Sequence, residues 1–153
     1  MIFRRLDMDT AEAYLVYLRR AMQEEPEEMT AERLDEAGIR QRIADPFFQR
    51  TLSLLAMEDG AVIGRIEYHF YGCMQDGCKM AYVDWVYVLP EHRRKGVAQG
   101  LFRAFEADCA AHGIDQYYLI RSEDENADRF YQAFCGAELT NEPLLRKHIS
   151  ATT

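Results

Sequence analysis

Nowhere does the sequence hold an apolar run near the ~20 residues that a membrane helix needs, so no membrane partner is expected. Its first residues, Met1 to Asp7, have no apolar segment behind their two arginines, so a secretory leader is not expected and the chain reads as cytoplasmic. Positive charge is also short. Eighteen Lys and Arg stand against 26 Asp and Glu, a net charge of −8. General affinity for nucleic acid depends on neutralising phosphates, so no nucleic-acid partner is expected. The balance suits a cationic small molecule better. Four cysteines form no motif: Cys73 and Cys78 flank a loop at x4 spacing without a second ligand pair. They read as reduced thiols, and no metal is expected. Proline (four) and glycine (nine) are too sparse for a linker, and there is no repeat or low-complexity tract, so residues 1–153 read as one domain.

The most informative stretch runs from Ala81 to Gly100. Val83, Val86 and Val88 interleave with Tyr82, Trp85 and Tyr87, a β-branched and aromatic pattern that predicts a buried strand. Pro90 cannot donate to a ladder and ends it. From Val97 the apolar residues Ala98, Leu101, Phe102, Phe105 and Cys109 share one helical face. Between strand and helix lie Arg93, Arg94, Lys95 and Gly96. Cations, a glycine and the free N–H groups of a helix N-terminus together suit a phosphate.

The flanking chain divides readily. Ile2–Leu6 is a candidate first strand. Asp9 and Glu12 resemble a capping box, opening a helix to about Met22. Gln23–Glu28 is a charged break, read either as a solvated loop or as the acidic rim of a pocket. Thr30 is a candidate cap for a second helix through Ala44, with Gly38 a weak point and Asp45-Pro46 its end. Thr51–Glu58 and Ala61–Tyr71 read as a hairpin about Asp59-Gly60, with Gly64 marking a bulge or a close approach. Gly113 is a candidate C-cap, and Gln116–Ile120 a short strand reached through a helix, hence parallel. Glu125–Phe134 reads as an amphipathic helix, and 137–139 with 144–149 as a terminal antiparallel pair.

At Val88, Pro90, Arg93, Gly96 and Ala98 the chain resembles the GNAT superfamily of acyl-CoA-dependent N-acetyltransferases, whose signature is Arg/Gln-x-x-Gly-x-Gly/Ala after an apolar strand. Asp124, Ala127, Phe130 and Tyr131 stand in register with a second family pattern, Asn-x-x-Ala-x-x-Leu-Tyr. Asp124 replaces its usual Asn, and Asn126 is a nearby substitute. The resemblance covers roughly residues 51–149 and lies nearest the small-amine branch, the spermidine/spermine- and aminoglycoside-type enzymes. It implies a mixed α/β (α+β) fold: a mostly antiparallel central sheet, helices on both faces, and one parallel β-α-β crossover.

By that resemblance, the chain amides and side chains of Arg93, Arg94, Lys95, Gly96, Val97, Ala98 and Gln99 hold the CoA pyrophosphate of acetyl-CoA. The backbone of Val86, Tyr87 and Val88 pairs with the pantetheine arm, and Asp124 and Asn126 belong to the same binding set. Tyr131 corresponds to the general acid for the departing thiolate. An alkylammonium with a pKa of ~10.4 must lose a proton before it attacks, and Asp84, which interrupts an apolar strand, leads as base or amine anchor. A buried carboxylate is costly without a partner or role. Glu67 is the second candidate, and His69 reads as a strand histidine. No Ser-His-Asp or Cys-His order suggests an acyl-enzyme, so direct transfer in a ternary complex is expected. A non-catalytic acyl-CoA-binding module, a protein or peptide N-acetyltransferase and a homodimer all stay open at this point.

Overall fold

The computed structural model describes residues 1–29, 32–122, 124–134 and 136–149. Two long strands form the centre of the first of two compact units, Met1–Ile120 and Arg121–Thr153. β2 (Thr51–Glu58) and β3 (Ala61–Gly72) turn at Asp59 and Gly60, whose φ values of 51° and 80° give the double left-handed geometry of a tight hairpin. β1 (Ile2–Arg5) pairs antiparallel with β2, and β4 (Lys79–Val88) antiparallel with β3. β5 (Gln116–Leu119) lies parallel to β4, so the order is β1-β2-β3-β4-β5. A parallel neighbour needs a long crossover, which α3 (Val97–Ala111) supplies before ending at Gly113, φ 68°. The mixed, mostly antiparallel sheet with one parallel crossover is the architecture expected.

Helices cover both faces of this sheet. On one, Phe105 packs against Tyr68 (centroids 4.7 Å apart) and Tyr117 (4.8 Å). A Cβ on Gly64 would sit 3.1 Å from Val97 and 3.3 Å from Leu101, so the glycine sets how closely α3 approaches. On the other, Tyr14, Tyr17 and Ala21 of α1 (Ala11–Glu24) bury Leu55, Met57, Val62, Tyr87 and Leu89.

Three expectations are corrected. Asp9 does not cap α1: the Asp7 carboxylate takes the Asp9 and Thr10 N–H groups (2.9 and 3.0 Å), and Thr10 occupies the cap position. The second helix, α2 (Glu36–Ala44), starts later than expected, because Asp35 accepts the Gly38 N–H (3.0 Å). A Cβ on Gly38 would lie 1.9 Å from that carboxylate, so Gly38 makes room for the cap. Thr30 lies outside the described residues, as does Cys135; Cys73, Cys78 and Cys109 are free thiols.

The second unit holds α4 (Glu125–Gln132), capped by Asp124, which accepts the Ala127 N–H at 2.8 Å. The strand pair expected over 137–149 does not form. Those residues run as coil with Leu139, Leu144, Leu145 and Ile149 exposed, and Pro143 between the segments has no N–H to give a ladder.

Candidate active site

The site originates in a slip of register. Glu67 pairs with Trp85, but Tyr68 pairs with Val83, leaving Asp84 as one extra residue on β4. Such a bulge bends its strand and re-aims a side chain. Here it turns Asp84 to the α1 side of the sheet, where its carboxylate lies 3.5 Å from His69 Nε2. Ligand-type atoms of Glu67, His69 and Asp84 all lie within 4.8 Å of one another. Asp84, which breaks the apolar pattern of its strand, is not buried: its side chain is 47% exposed, beside Glu67 and His69.

Beside this trio stands a group that the hydrophobic pattern did not flag. Arg65, 8% exposed, donates to Glu67 at 3.1 Å and to Ser53 at 3.3 Å, with its guanidinium 5.2 Å from the Tyr14 ring centroid. Its Nε is buried with no hydrogen-bond partner among the described residues. Burial pushes the Glu67 carboxyl above its ordinary range; Arg65 pulls it down, and the Asp84 carboxylate pushes it up again. Glu67 thus sits between a cation and a second carboxylate. A cavity of about 690 Å³ opens above them, walled by α1, α2 and the segment between them.

The same strand leads from this cavity to the basic loop. β5 pairs with β4 only over Met80–Val83, so beyond the bulge Asp84–Val88 lose their β5 neighbour. Leu89 N–H donates to Ile63 O on β3 (2.9 Å). By antiparallel alternation Tyr87 turns its backbone to β3, while Val86 and Val88 turn theirs to the open edge. The Val88 carbonyl accepts from Arg93 Nε and the Tyr87 carbonyl from the Tyr17 hydroxyl, each at 2.9 Å.

In the loop, Arg94 (φ 61°) and Gly96 (φ 80°) adopt left-handed conformations, which carry the chain abruptly into α3. Gly96 is the cap and offers no side chain, and the first helical bond is Gly100 N–H to Gly96 O (3.0 Å). The amides of Val97, Ala98 and Gln99 therefore have no intrahelical acceptor. Arg94, Lys95 and Gln99 are exposed beside them. Arg93 is committed elsewhere: its guanidinium bonds Glu25 and lies 5.3 Å from the Tyr87 ring centroid. Glu25 also accepts the Tyr87 hydroxyl at 2.7 Å, and Arg93 holds its carboxyl below the ordinary range. Glu25 is therefore neither solvated nor a pocket rim.

Tyr131, Asp124 and Asn126 sit in the second unit. Tyr131 lies in α4, its ring centroid 5.1 Å from that of Phe130, and burial raises its hydroxyl pKa, so it is protonated at neutral pH. Asn126 is in the first turn of α4, and Asp124 is its cap.

The family model described as the acetyltransferase (GNAT) family matches residues 12–137. No curated protein matches the chain by sequence. Among solved structures, a ribosomal-protein-alanine N-acetyltransferase from Brucella melitensis biovar Abortus 2308 is 20% identical with a TM-score of 0.73, covering 96% of this chain and 100% of that one. An aminoglycoside acetyltransferase from an uncultured soil metagenomic sample, in complex with sisomicin, is 12% identical with a TM-score of 0.76, over 99% and 96%. The aminoglycoside N-acetyltransferase AAC(6')-Iy in complex with CoA is 22% identical with a TM-score of 0.67, over 97% and 100%.

Proposed function

The chain belongs to the acetyltransferase (GNAT) family and is an N-acetyltransferase by that membership; on this premise we propose that it moves an acetyl group from acetyl-CoA to the primary amine of a small molecule, directly, within a ternary complex. One observation carries the reading: β4 loses its β5 neighbour at the residue where its bulge presents Asp84 to Glu67. A single strand thus serves a donor edge and an acceptor cavity.

On the donor side, the free amides of Val97, Ala98 and Gln99, with Arg94 and Lys95, hold the pyrophosphate of the co-substrate. Arg93 works inward, fixing the loop to Val88 and Glu25. Val86 and Val88 offer open-edge backbone groups to an extended arm. That AAC(6')-Iy is described with CoA supports this assignment. Asp124 and Asn126 belong to the proposed binding set through the family resemblance alone.

On the acceptor side, Glu67 and Asp84 hold the ammonium and take its proton. A carboxyl whose pKa is raised is a better base near neutrality than an ordinary one. The freed amine attacks the thioester carbonyl carbon; the C–N bond forms, the nitrogen gives up its second proton to solvent, the C–S bond breaks, and the sulfur takes a proton. Tyr131, kept protonated by burial, is the proposed donor of that proton. Thiol release with acetyl-CoA across a panel of amines tests the proposal: turnover with at least one is expected, and tight CoA binding without turnover would leave a binding module. Tyr131→Phe should lower kcat while CoA affinity changes little.

A further inference from the structure

The cavity above Glu67 and Asp84 is poorly suited to a polycation, and we propose that the acceptor is an amine with an apolar body and a carboxylate, an amino-acid-like molecule rather than a polyamine or aminoglycoside. The inference rests on the acetyltransferase reading and narrows its acceptor. Among the described residues, two carboxylates line the cavity, Glu67 and Asp84, against four guanidiniums, those of Arg5, Arg33, Arg42 and Arg65. Arg65 already neutralises Glu67 at 3.1 Å, and Arg5 is taken by Asp108 at 2.9 Å. Beside Arg65, the two carboxylates together retain charge for one ammonium. Arg42 meets Asp35 only at 3.7 Å, and Arg33 forms no ion pair among the described residues. Further ammonium groups would meet arginines rather than acids, and juxtaposed like charges reject a ligand.

The anionic end has a place as well. Arg33 and Arg42 line the cavity together with Tyr14, and among the described residues neither guanidinium is paired with a carboxylate of the cavity, so a ligand carboxylate has cations to meet there. The apolar end is supplied by the walls. No residue of α2 is buried, yet Ile39 and Ile43 line the cavity opposite Leu18, Met22 and Trp85. Mostly apolar walls with a few convergent polar groups are the general pattern of a small-ligand site.

Purified enzyme with acetyl-CoA should be assayed for thiol release on leucine, phenylalanine and methionine, on the decarboxylated amine of each, and on spermidine and kanamycin. For at least one pair, kcat/KM for the amino acid should exceed that for its decarboxylated amine by about tenfold, the scale of one charge-assisted hydrogen bond. It should also exceed the values for spermidine and kanamycin, and Arg42→Ala should bring the paired ratio to within about threefold. Equal rates within every pair, or spermidine or kanamycin as the best acceptor, would overturn the inference while leaving the acetyltransferase reading intact. No turnover on any acceptor would overturn both.

Discussion

The two faces of the central sheet are covered in opposite ways. Under α3 the contact is tight and apolar: Leu101, Phe102 and Phe105 are no more than 2% exposed, and Gly64 lets the helix approach within contact distance. On the other face, α1 packs over Leu55, Val62 and Leu89, but toward His69 the sheet carries Arg65, Glu67 and Asp84 beneath a cavity. A buried arginine whose Nε is unpartnered, beside two crowded carboxyls, is an arrangement that stability alone would not favour. The contrast separates a face closed around apolar side chains from one that keeps charged groups beneath a cavity.

The sharpest way to break this comparison is to cut into each face. Phe105→Ala should cost about 3–5 kcal/mol of unfolding free energy in a denaturant titration, since the ring is fully buried among aromatics. A loss under 1 kcal/mol would mean that α3 is not the structural face. Glu67→Gln should reduce kcat/KM about a hundredfold, the lower end of what a general base contributes. A loss below threefold would remove Glu67 from the acid–base chemistry. Gly96→Ala, at φ 80° with the new Cβ in no more than ordinary contact with Gln99 Oε1 (3.9 Å), should cost about 1–2 kcal/mol through backbone strain. Weakened CoA binding by calorimetry would accompany it; unchanged affinity would separate the loop conformation from donor binding. Smallest is Ile39→Ala on α2, expected to change stability by less than about 1 kcal/mol because no residue of α2 is buried. Its effect should fall on KM for an apolar acceptor.

Periodicity made the structural face legible: the spacing of Leu101, Phe102, Phe105 and Cys109, and the hairpin at Asp59-Gly60, translate directly into α3 and the β2–β3 turn. The basic loop was legible for the same reason, since strand, glycine and helix start are local features. The chemical face was less so. Asp84 stood out as a break in pattern, but that it meets Glu67 depends on a bulge that pairing between distant strands creates. Arg65 lies in a strand whose alternation is only partial, so periodicity does not tell which way it turns. Its only signal was its place two residues before Glu67, on the same face. In the acidic run Glu24, Glu27 and Glu28 are exposed, as a solvated stretch would be, and Glu25 alone turns inward, held by Arg93 and Tyr87 across more than 60 positions; charge density alone does not tell which glutamate does so.

Glu67 is the proposed base, its carboxyl pKa raised by burial and by the neighbouring Asp84, and the pH dependence of kcat/KM in wild type and Asp84→Asn tests that role most directly. Burial and the Asp84 carboxylate raise the pKa of Glu67, so its basic form is lost as pH falls through a value above the ordinary carboxylate pKa of ~4.3. The acid limb of the wild-type profile should therefore lie above that value. Removing the Asp84 charge withdraws one of the influences that raise it, so the limb of Asp84→Asn should move to lower pH. A limb at the same pH in both enzymes would contradict the account.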